Sequence, residues 1–476
     1  MNSSDKKTHC AIFLSGLFAL TVTHLFSLTQ VAGWHLDEAW AGNFAHRIAI
    51  EKGFWPFQAM SPYTAAWSHY IAALVFKIFG TSVFTYRATG IFEVIAGVAL
   101  ISAALAKRGE TKAAALLPGV IAFFPALVMN HRWVIEMNTF YVLCAGLIAY
   151  GLASRRLVLI SLGAFLGITS HVLFLAPCLA LLYWCWVNGT LNRREKTATS
   201  AFSILIGLFF VRIFLNTDAN DHLKSLALLA LSVIVAFGVH VPAPTGVFRK
   251  YFLLAPALLG IPLIFPFLMF SEGSWEALFS SGQLQTPFLV GTIFIPIAVL
   301  VYFARPKFST ELLWLPYCLV LTLLMVVKPG PRYYEVPFLF CAVLFAIGVS
   351  RVTARQASLV LSLWFIFGSL QLSLNYFQPA IAETQVDRTF HFWRFHDAST
   401  DMLPIQRVAR RLYREGCDYS DLKLTDDRME QCLKFLSIGD WPAPSPHHCH
   451  LGTQLNVVRV PGNESQFTIT QPNGRE

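Results

Sequence analysis

Residues 8–40 read THCAIFLSGLFALTVTHLFSLTQVAGWHLDEAW. No charged side chain occurs from Thr8 to Leu36, and Asp37 and Glu38 follow at once. Such a run is longer than the roughly 20 apolar residues that cross a bilayer. Lys6 and Lys7 stand before it, and no small-residue cleavage site closes a brief apolar core. The segment therefore reads as an uncleaved signal-anchor with its N-terminus on the cytoplasmic side. The fold then depends on how often the rest of the chain repeats this alternation of basic cluster, apolar run and acidic loop.

The chain has 476 residues, 55% of them hydrophobic and 13% charged. A soluble protein carries about 25% charged residues, so an ordinary soluble enzyme, a disordered chain and a small disulfide scaffold are all excluded. The formal charge of +9 divides unevenly, with +11 up to residue 380 and −2 beyond it. The positive excess sits in short clusters between apolar runs: Lys107-Arg108 with Lys112, Arg155-Arg156, Arg193-Arg194 with Lys196, Arg249-Lys250, Arg305 with Lys307, and Arg351 with Arg355. Basic clusters in short loops mark the cytoplasmic side. The charge is thus an orientation signal, not a nucleic-acid surface.

Taking those clusters as inside gives thirteen spans, at 9–31, 83–106, 113–130, 138–153, 157–171, 172–188, 198–215, 224–240, 251–270, 287–304, 311–327, 337–350 and 358–377. The stretch 157–188 is short for two crossings, but basic clusters at both ends require an even number, and Pro177 offers a place to turn. The fold class is an α-helical polytopic membrane protein over 1–380, followed by a small α/β extracytoplasmic domain over 381–476. In that domain DMLPIQRVARRLYREG and DRMEQCLKFLSIGD suit helices, and QLNVVRV and QFTIT suit strands. Cys417, Cys432 and Cys449 allow one disulfide and one free thiol. The PHHCH run at 446–450 reads as an exposed loop, because neighbouring side chains cannot build a tetrahedral metal site alone. No Gly-rich phosphate loop occurs, so energy must come from an activated substrate or a gradient.

The first outer loop is long. Leu36, Trp40, Phe44 and Ile48 recur every four residues, giving an amphipathic helix whose apolar face can lie on the membrane. Gly53 and Pro56 end it, and a second interfacial helix fits between Pro62 and Gly80. Asp37 and Glu38 open the first helix, where carboxylates also simply favour the positive helix end. The second outer loop, MNHRWVIEMN, carries Arg132 and Glu136, a spacing that equally suits a local ion pair. A late outer loop, KPGPRYYEVP, carries Lys328, Arg332 and Tyr333; its cations also suit interface anchoring. Carboxylates and cations from three loops thus gather on one side.

At these residues the sequence resembles the GT-C class of membrane glycosyltransferases, which use polyprenyl-phosphate-linked sugars. Within it, the chain is most similar to the branch holding protein O-mannosyltransferases and the lipid A aminoarabinose transferase. The strings that carry the resemblance are HLDEAW, SPYTAAWSHYIAALVFKIFGTSVFTYRATG, RWVIE, GAFLGITSHVLFL and KPGPRYYEVP, in that order over residues 1–380. The resemblance implies Asp37 as catalytic base, Glu38 as its acidic neighbour and Glu136 as the second acidic position. It implies Arg332, Tyr333 and Lys328 at the lipid phosphate, and Arg132 of the second loop is taken with them as a donor phosphate-binding residue. Arg87 matches a family arginine. The chain departs at Trp40, where the aminoarabinose pattern has a basic residue, and at Ser61-Pro62-Tyr63, where it has Lys before a double proline. Those departures argue against that particular activity.

The expected chemistry is a single inverting displacement, with one carboxylate taking the acceptor proton and cations steadying the departing phosphate. The implied partners are a polyprenyl-phosphate-linked sugar donor, a lipid, glycan or protein acceptor, and the bilayer of a bacterial inner membrane. No metal cluster is expected, although a divalent ion joining carboxylate and phosphate stays open because some class members use one. A carrier or lipid flippase is the rival; it predicts charges in mid-span, for which Glu93 and Arg212 are the examples. A non-catalytic scaffold is the second.

Overall fold

The computed structural model describes residues 3–29, 36–51, 65–132, 134, 138–215, 219–252, 335–377, 422–424, 455–459 and 467–470. Helix α1 (Ser3–Leu25) is followed by α2 (Leu36–Ile50), α3 (Trp67–Phe79) and α4 (Val83–Lys107). Then come α5 (Thr111–Ala122), α6 (Pro125–His131), α7 (Thr139–Ser154), α8 (Leu157–Ser170) and α9 (Leu175–Val187). The bundle continues with α10 (Arg193–Leu215), α11 (Ala219–Gly238), α12 (Glu335–Arg351) and α13 (Ala354–Phe377). The expected spans at 251–270, 287–304 and 311–327 lie outside the described residues.

Of the described helices, α1 and α4 are by themselves long and apolar enough to cross a membrane, and several others are shorter apolar helices. Bilayer contact is read from their outer faces. On α1, Leu14, Phe18 and Val22 fall four apart and are exposed, Phe18 by 73%. On α13, Leu359, Leu363, Ile366 and Leu370 form a second exposed apolar stripe. Stripes of this kind at helical spacing suit a lipid surface.

Inside the bundle, small residues let backbones touch, as suits helices packed without a hydrophobic drive between them. A Cβ at Gly97 of α4 would lie 2.3 Å from the Val142 carbonyl oxygen of α7, and one at Gly16 of α1 would lie 2.7 Å from the Gly119 nitrogen of α5. Glu93 meets Thr139, Gly97 meets Val142, and Arg108 reaches Leu152, so α4 and α7 run parallel. Helix α12 runs the same way, with Glu335 against His131 at one end and Arg351 paired with Glu110 at the other. One end of the bundle therefore gathers the loops at 108–110, 155–156 and 351, and the opposite end gathers 26–28, 131–134 and 335.

The structure places a turn at the boundary between the spans 157–171 and 172–188 and divides another span. Between α8 and α9 the chain turns at His171, whose backbone is extended and whose Nδ1 accepts from the Leu173 amide. Thr169 and Ser170 turn their hydroxyls back onto the Phe165 and Leu166 carbonyls just before it. Pro177 instead sits in the first turn of α9, where its missing N–H costs no hydrogen bond. The span expected at 113–130 is divided into α5 and α6, because Pro125 restricts Phe124 and opens a new helix.

The first outer loop does form two helices, but their packing differs from the expectation. Phe44 and Ile48 of α2 are buried against Ala66 and Ala73, beside and within α3, instead of lying open to lipid, and Trp40 is 43% exposed. Small alanines leave room for those larger side chains, so α2 and α3 cover each other. Beyond residue 380, β1 (Leu422–Leu424) pairs parallel with β2 (Leu455–Arg459), which pairs antiparallel with β3 (Phe467–Thr470). Strands β2 and β3 occupy the two segments expected to be strands. The helices expected in 401–440, the cysteines of this region and the PHHCH run lie outside the described residues.

Candidate functional site

The end of α1 and the start of α2 are held by two buried arginines. Arg87, in the first turns of α4, gives Nε to Glu38 Oε1 and Nη2 to Glu38 Oε2, both at 2.8 Å, and Nη1 to the Leu28 carbonyl at 2.7 Å. Both side chains of this ion pair are fully buried. A two-pronged guanidinium–carboxylate contact fixes geometry as well as charge. The Val134 amide reaches Glu38 Oε1 at 3.5 Å, and Tyr86 closes the same loop by donating to the Val134 carbonyl at 2.9 Å. Arg132, the residue after α6, donates to the carbonyls of Thr23, His24 and Phe26. Those carbonyls belong to the last turn of α1 and the turn after it, where no intrahelical donors remain.

Beside this clamp lies a line of three buried side chains. His24 Nδ1 donates to the Leu20 carbonyl at 2.8 Å, His24 Nε2 meets His131 Nδ1 at 2.9 Å, and His131 Nε2 meets Glu335 Oε1 at 2.7 Å. The carbonyl can only accept, which puts a proton on His24 Nδ1. One further proton then has three homes: on Glu335, on His131 as a cation, or on His24 as a cation with Glu335 ionised. Each arrangement leaves the line neutral overall. Glu335→Leu leaves a buried His131 nitrogen unpaired and is expected to lower stability by about 1–3 kcal/mol. Glu335→Gln keeps a donor for that nitrogen and is expected to cost clearly less, both read by thermal unfolding in detergent.

These contacts tie together the first outer loop (Glu38), the second (Arg132 and Val134) and the foot of the late one (Glu335). Of the residues expected at the site, Asp37 is the second residue of α2, directly before the clamped Glu38. Glu38 has both carboxylate oxygens taken by Arg87, so its place is in the frame that holds α2. Arg132 lies beyond the last residue of α6 and against the end of α1. Glu136, Lys328, Arg332 and Tyr333 lie outside the described residues.

No protein-family model matches the chain, and no curated protein matches it either. Solved structures do resemble it. The oligosaccharyltransferase of Archaeoglobus fulgidus, in complex with zinc and sulfate, is 14% identical with a TM-score of 0.46, over 92% of this chain and 59% of that one. ArnT of Cupriavidus metallidurans in the apo state is 14% identical with a TM-score of 0.47, over 89% of this chain and 84% of that one. The same ArnT bound to undecaprenyl phosphate is 13% identical with a TM-score of 0.42, over 92% and 76%. The chain thus spans 59% of the length of the archaeal protein. Both neighbours are GT-C glycosyltransferases, the class the sequence resembles. At these values they stand beside the chain as likenesses, and its own residues carry the functional reading.

His24, His131 and Glu335 do not suit a metal ion. Their nitrogens and the Glu335 Oε1 are engaged in line with one another instead of pointing at a common centre. Among the described residues no three His, Cys, Asp or Glu side chains form a metal-sized group. At the far end of α2, Arg47 grips Glu51 and holds its carboxyl below the usual range. Burial holds His46 below its ordinary value while its Nδ1 meets the Thr81 hydroxyl at 2.9 Å.

Sequence reading left out His24 and His131, and with them the line to Glu335. Each histidine is unremarkable among apolar neighbours, and the partners stand 107 and 204 residues apart. Arg87 carried a usable signal, since a charge inside the first turns of an otherwise apolar span must find a partner.

Proposed function

We propose that the chain is a membrane glycosyltransferase that moves a sugar from a polyprenyl-phosphate carrier to an acceptor hydroxyl at the extracytoplasmic face. The observation that supports this reading most is the buried clamp that joins the carboxylate-bearing start of α2 to the second outer loop and to α1. A fixed backbone at Asp37 is what a general base needs, because proton transfer demands hydrogen-bond reach to the attacking oxygen.

In this reading the acceptor hydroxyl gives its proton to Asp37 as its oxygen bonds to the anomeric carbon. The bond from that carbon to the phosphate oxygen breaks, and the polyprenyl phosphate leaves with the electron pair. Configuration at the anomeric carbon inverts. The leaving group is already a phosphate, so no general acid is required. Arg332, Lys328 and Tyr333 would meet its growing charge, Glu136 would be the second acidic group, and Arg132 with Glu38 would hold the frame. Comparison of transfer with and without a chelator decides whether a divalent ion joins carboxylate and phosphate.

Arg332→Ala is expected to raise the KM for the donor by about 10- to 100-fold, the value of a charged hydrogen bond to phosphate. An unchanged donor dependence would remove Arg332 from the site. Mass spectrometry of envelope glycans from a deletion strain, complemented by wild type or by Asp37→Asn, identifies the sugar and acceptor. An unchanged glycan profile on deletion would point to a scaffold instead.

A transport reading is favoured by one feature. Glu93 lies ten residues into α4 and is buried, with Oε2 accepting from Thr139 at 2.8 Å and Oε1 without a partner among the described residues. Buried ionisable groups at depth mark transport paths as well as packing. Substrate translocation without any sugar transfer would decide for it.

A further inference from the structure

The line from α1 to α12 has three contacts, and each needs one proton. They join His24 Nδ1 to the Leu20 carbonyl at 2.8 Å, His24 Nε2 to His131 Nδ1 at 2.9 Å, and His131 Nε2 to Glu335 Oε1 at 2.7 Å. Two neutral imidazoles bring one N–H each, and an ionised carboxylate brings none. Two protons cannot fill three contacts. Without a third, one pair of lone pairs must face each other at hydrogen-bond distance among side chains that are at most 1% exposed. The Thr23 hydroxyl does not relieve this. It stands 3.3 Å from His24 Nδ1, gives its proton to the Ala19 carbonyl at 3.0 Å, and would leave a bare Nδ1 against the Leu20 carbonyl. Whichever atom carries it, the line contains one proton more than two neutral histidines and a carboxylate.

The groups packed around the line leave that count unchanged. Arg132, the residue after α6, faces His24 and stays charged. Asn130 of α6 lies beside Glu335, and Asn138, just before α7, donates to the Asn130 carbonyl. Arg87 of α4 is taken by Glu38. Phe124, between α5 and α6, meets Phe338 of α12 and Trp364 of α13 with its ring. None of these exchanges a proton near neutral pH, so the three members titrate as one unit. The line also ends on the segment that frames Asp37. His131 is followed by Arg132, on the last carbonyls of α1, and by Val134, whose amide reaches Glu38.

We propose that the His24–His131–Glu335 line is a single-proton site, and that its proton locks residues 131–134, and through Val134 the start of α2, onto the end of α1. Unfolding exposes a carboxyl with a pKa of about 4.3 and two histidines near about 6.5. Above about pH 7 the unfolded chain therefore holds both imidazoles neutral and the carboxylate ionised, one proton fewer than the folded line. Stability from the line is present in full below about pH 4.3 and declines as pH rises, until the folded line gives up its proton. Glu335→Gln replaces that proton with an amide N–H. It fills all three contacts and has no carboxyl to titrate.

The test measures the unfolding equilibrium of the purified full-length protein in detergent, upward from about pH 7, for wild type and Glu335→Gln. The ratio of the wild-type to the variant unfolding constant is expected to rise about tenfold per pH unit, levelling off where the folded line loses its proton. Hydrogen exchange of the peptide holding residues 131–134 should show the same rise in its wild-type to variant ratio, because opening that segment breaks the line and releases the proton. If Glu335→Gln fails to fold, His24→Met takes its place. The remaining imidazole then meets an ionised Glu335 through its own N–H, so no further proton is bound and the slope should vanish in the same way. Parallel pH dependence of wild type and variant overturns the proton site. A rising unfolding ratio with a flat exchange ratio overturns the lock on residues 131–134. Neither readout involves sugar transfer, so the proposal stands or falls apart from the glycosyltransferase reading.

Discussion

Asp37→Asn is expected to lower sugar transfer by about 10²- to 10⁴-fold, the usual contribution of a positioned general base. The variant should insert and unfold as wild type does. Asn keeps the size and polarity of Asp but cannot take up the proton of the attacking hydroxyl, so the substitution isolates proton acceptance from shape. Its KM for the donor should stay near wild type, because in the proposed mechanism the donor phosphate would be met by Arg332, Lys328 and Tyr333 and not by α2. A loss of kcat at constant KM and constant melting temperature is therefore the pattern to look for. Wild-type transfer by Asp37→Asn would remove Asp37 from the chemistry, whatever the fate of the rest of the site.

The same residue shows what the sequence could and could not convey. Basic clusters alternating with acidic loops were readable because this alternation is written locally, in a few residues beside each apolar run. The structure then places Glu110 with Arg351, and Arg108 with Leu152, at one end, and Glu38 with Arg87, and His131 with Glu335, at the other. Partnerships across the fold were not readable. Nothing near Glu38 announces that its partner is Arg87, 49 residues away, and nothing near His24 announces His131. The boundary between the spans 157–171 and 172–188 was legible, but Pro177, the residue offered for the turn, is not the one that makes it. Proline is the conspicuous residue, but in the first turn of a helix it costs no hydrogen bond. The less conspicuous Thr169-Ser170-His171 ends α8 through back-bonded hydroxyls and one extended residue. The apolar stripe of α2 was legible as a stripe, whereas its cover by α3 depended on where Ala66 and Ala73 would lie.

Glu38→Ala is expected to cost about 3–5 kcal/mol of stability, and Arg87→Ala a similar amount. Each change leaves the opposite charge buried and unpaired, and breaking a buried pair from one side is far more costly than lacking the pair altogether. Arg87→Ala also strips the Leu28 carbonyl of its donor. The decisive comparison is the double variant Glu38→Leu with Arg87→Met. Removing both charges together should restore most of the lost stability, because apolar side chains of similar volume need no desolvation. The coupling term of this cycle should be at least about 2 kcal/mol, well above what independent sites show. Transfer activity should nevertheless remain low in the refolded double variant. Leucine and methionine pack without the two-pronged geometry that joins the start of α2 to Leu28 and Val134, so the backbone at Asp37 would no longer be held in one place. Stability restored with activity still lost would separate the two jobs of the clamp: cancelling its own buried charges and aiming the neighbouring carboxylate. Full activity in that variant would show that the Glu38–Arg87 pair contributes stability alone and that α2 is positioned by its packing on α3.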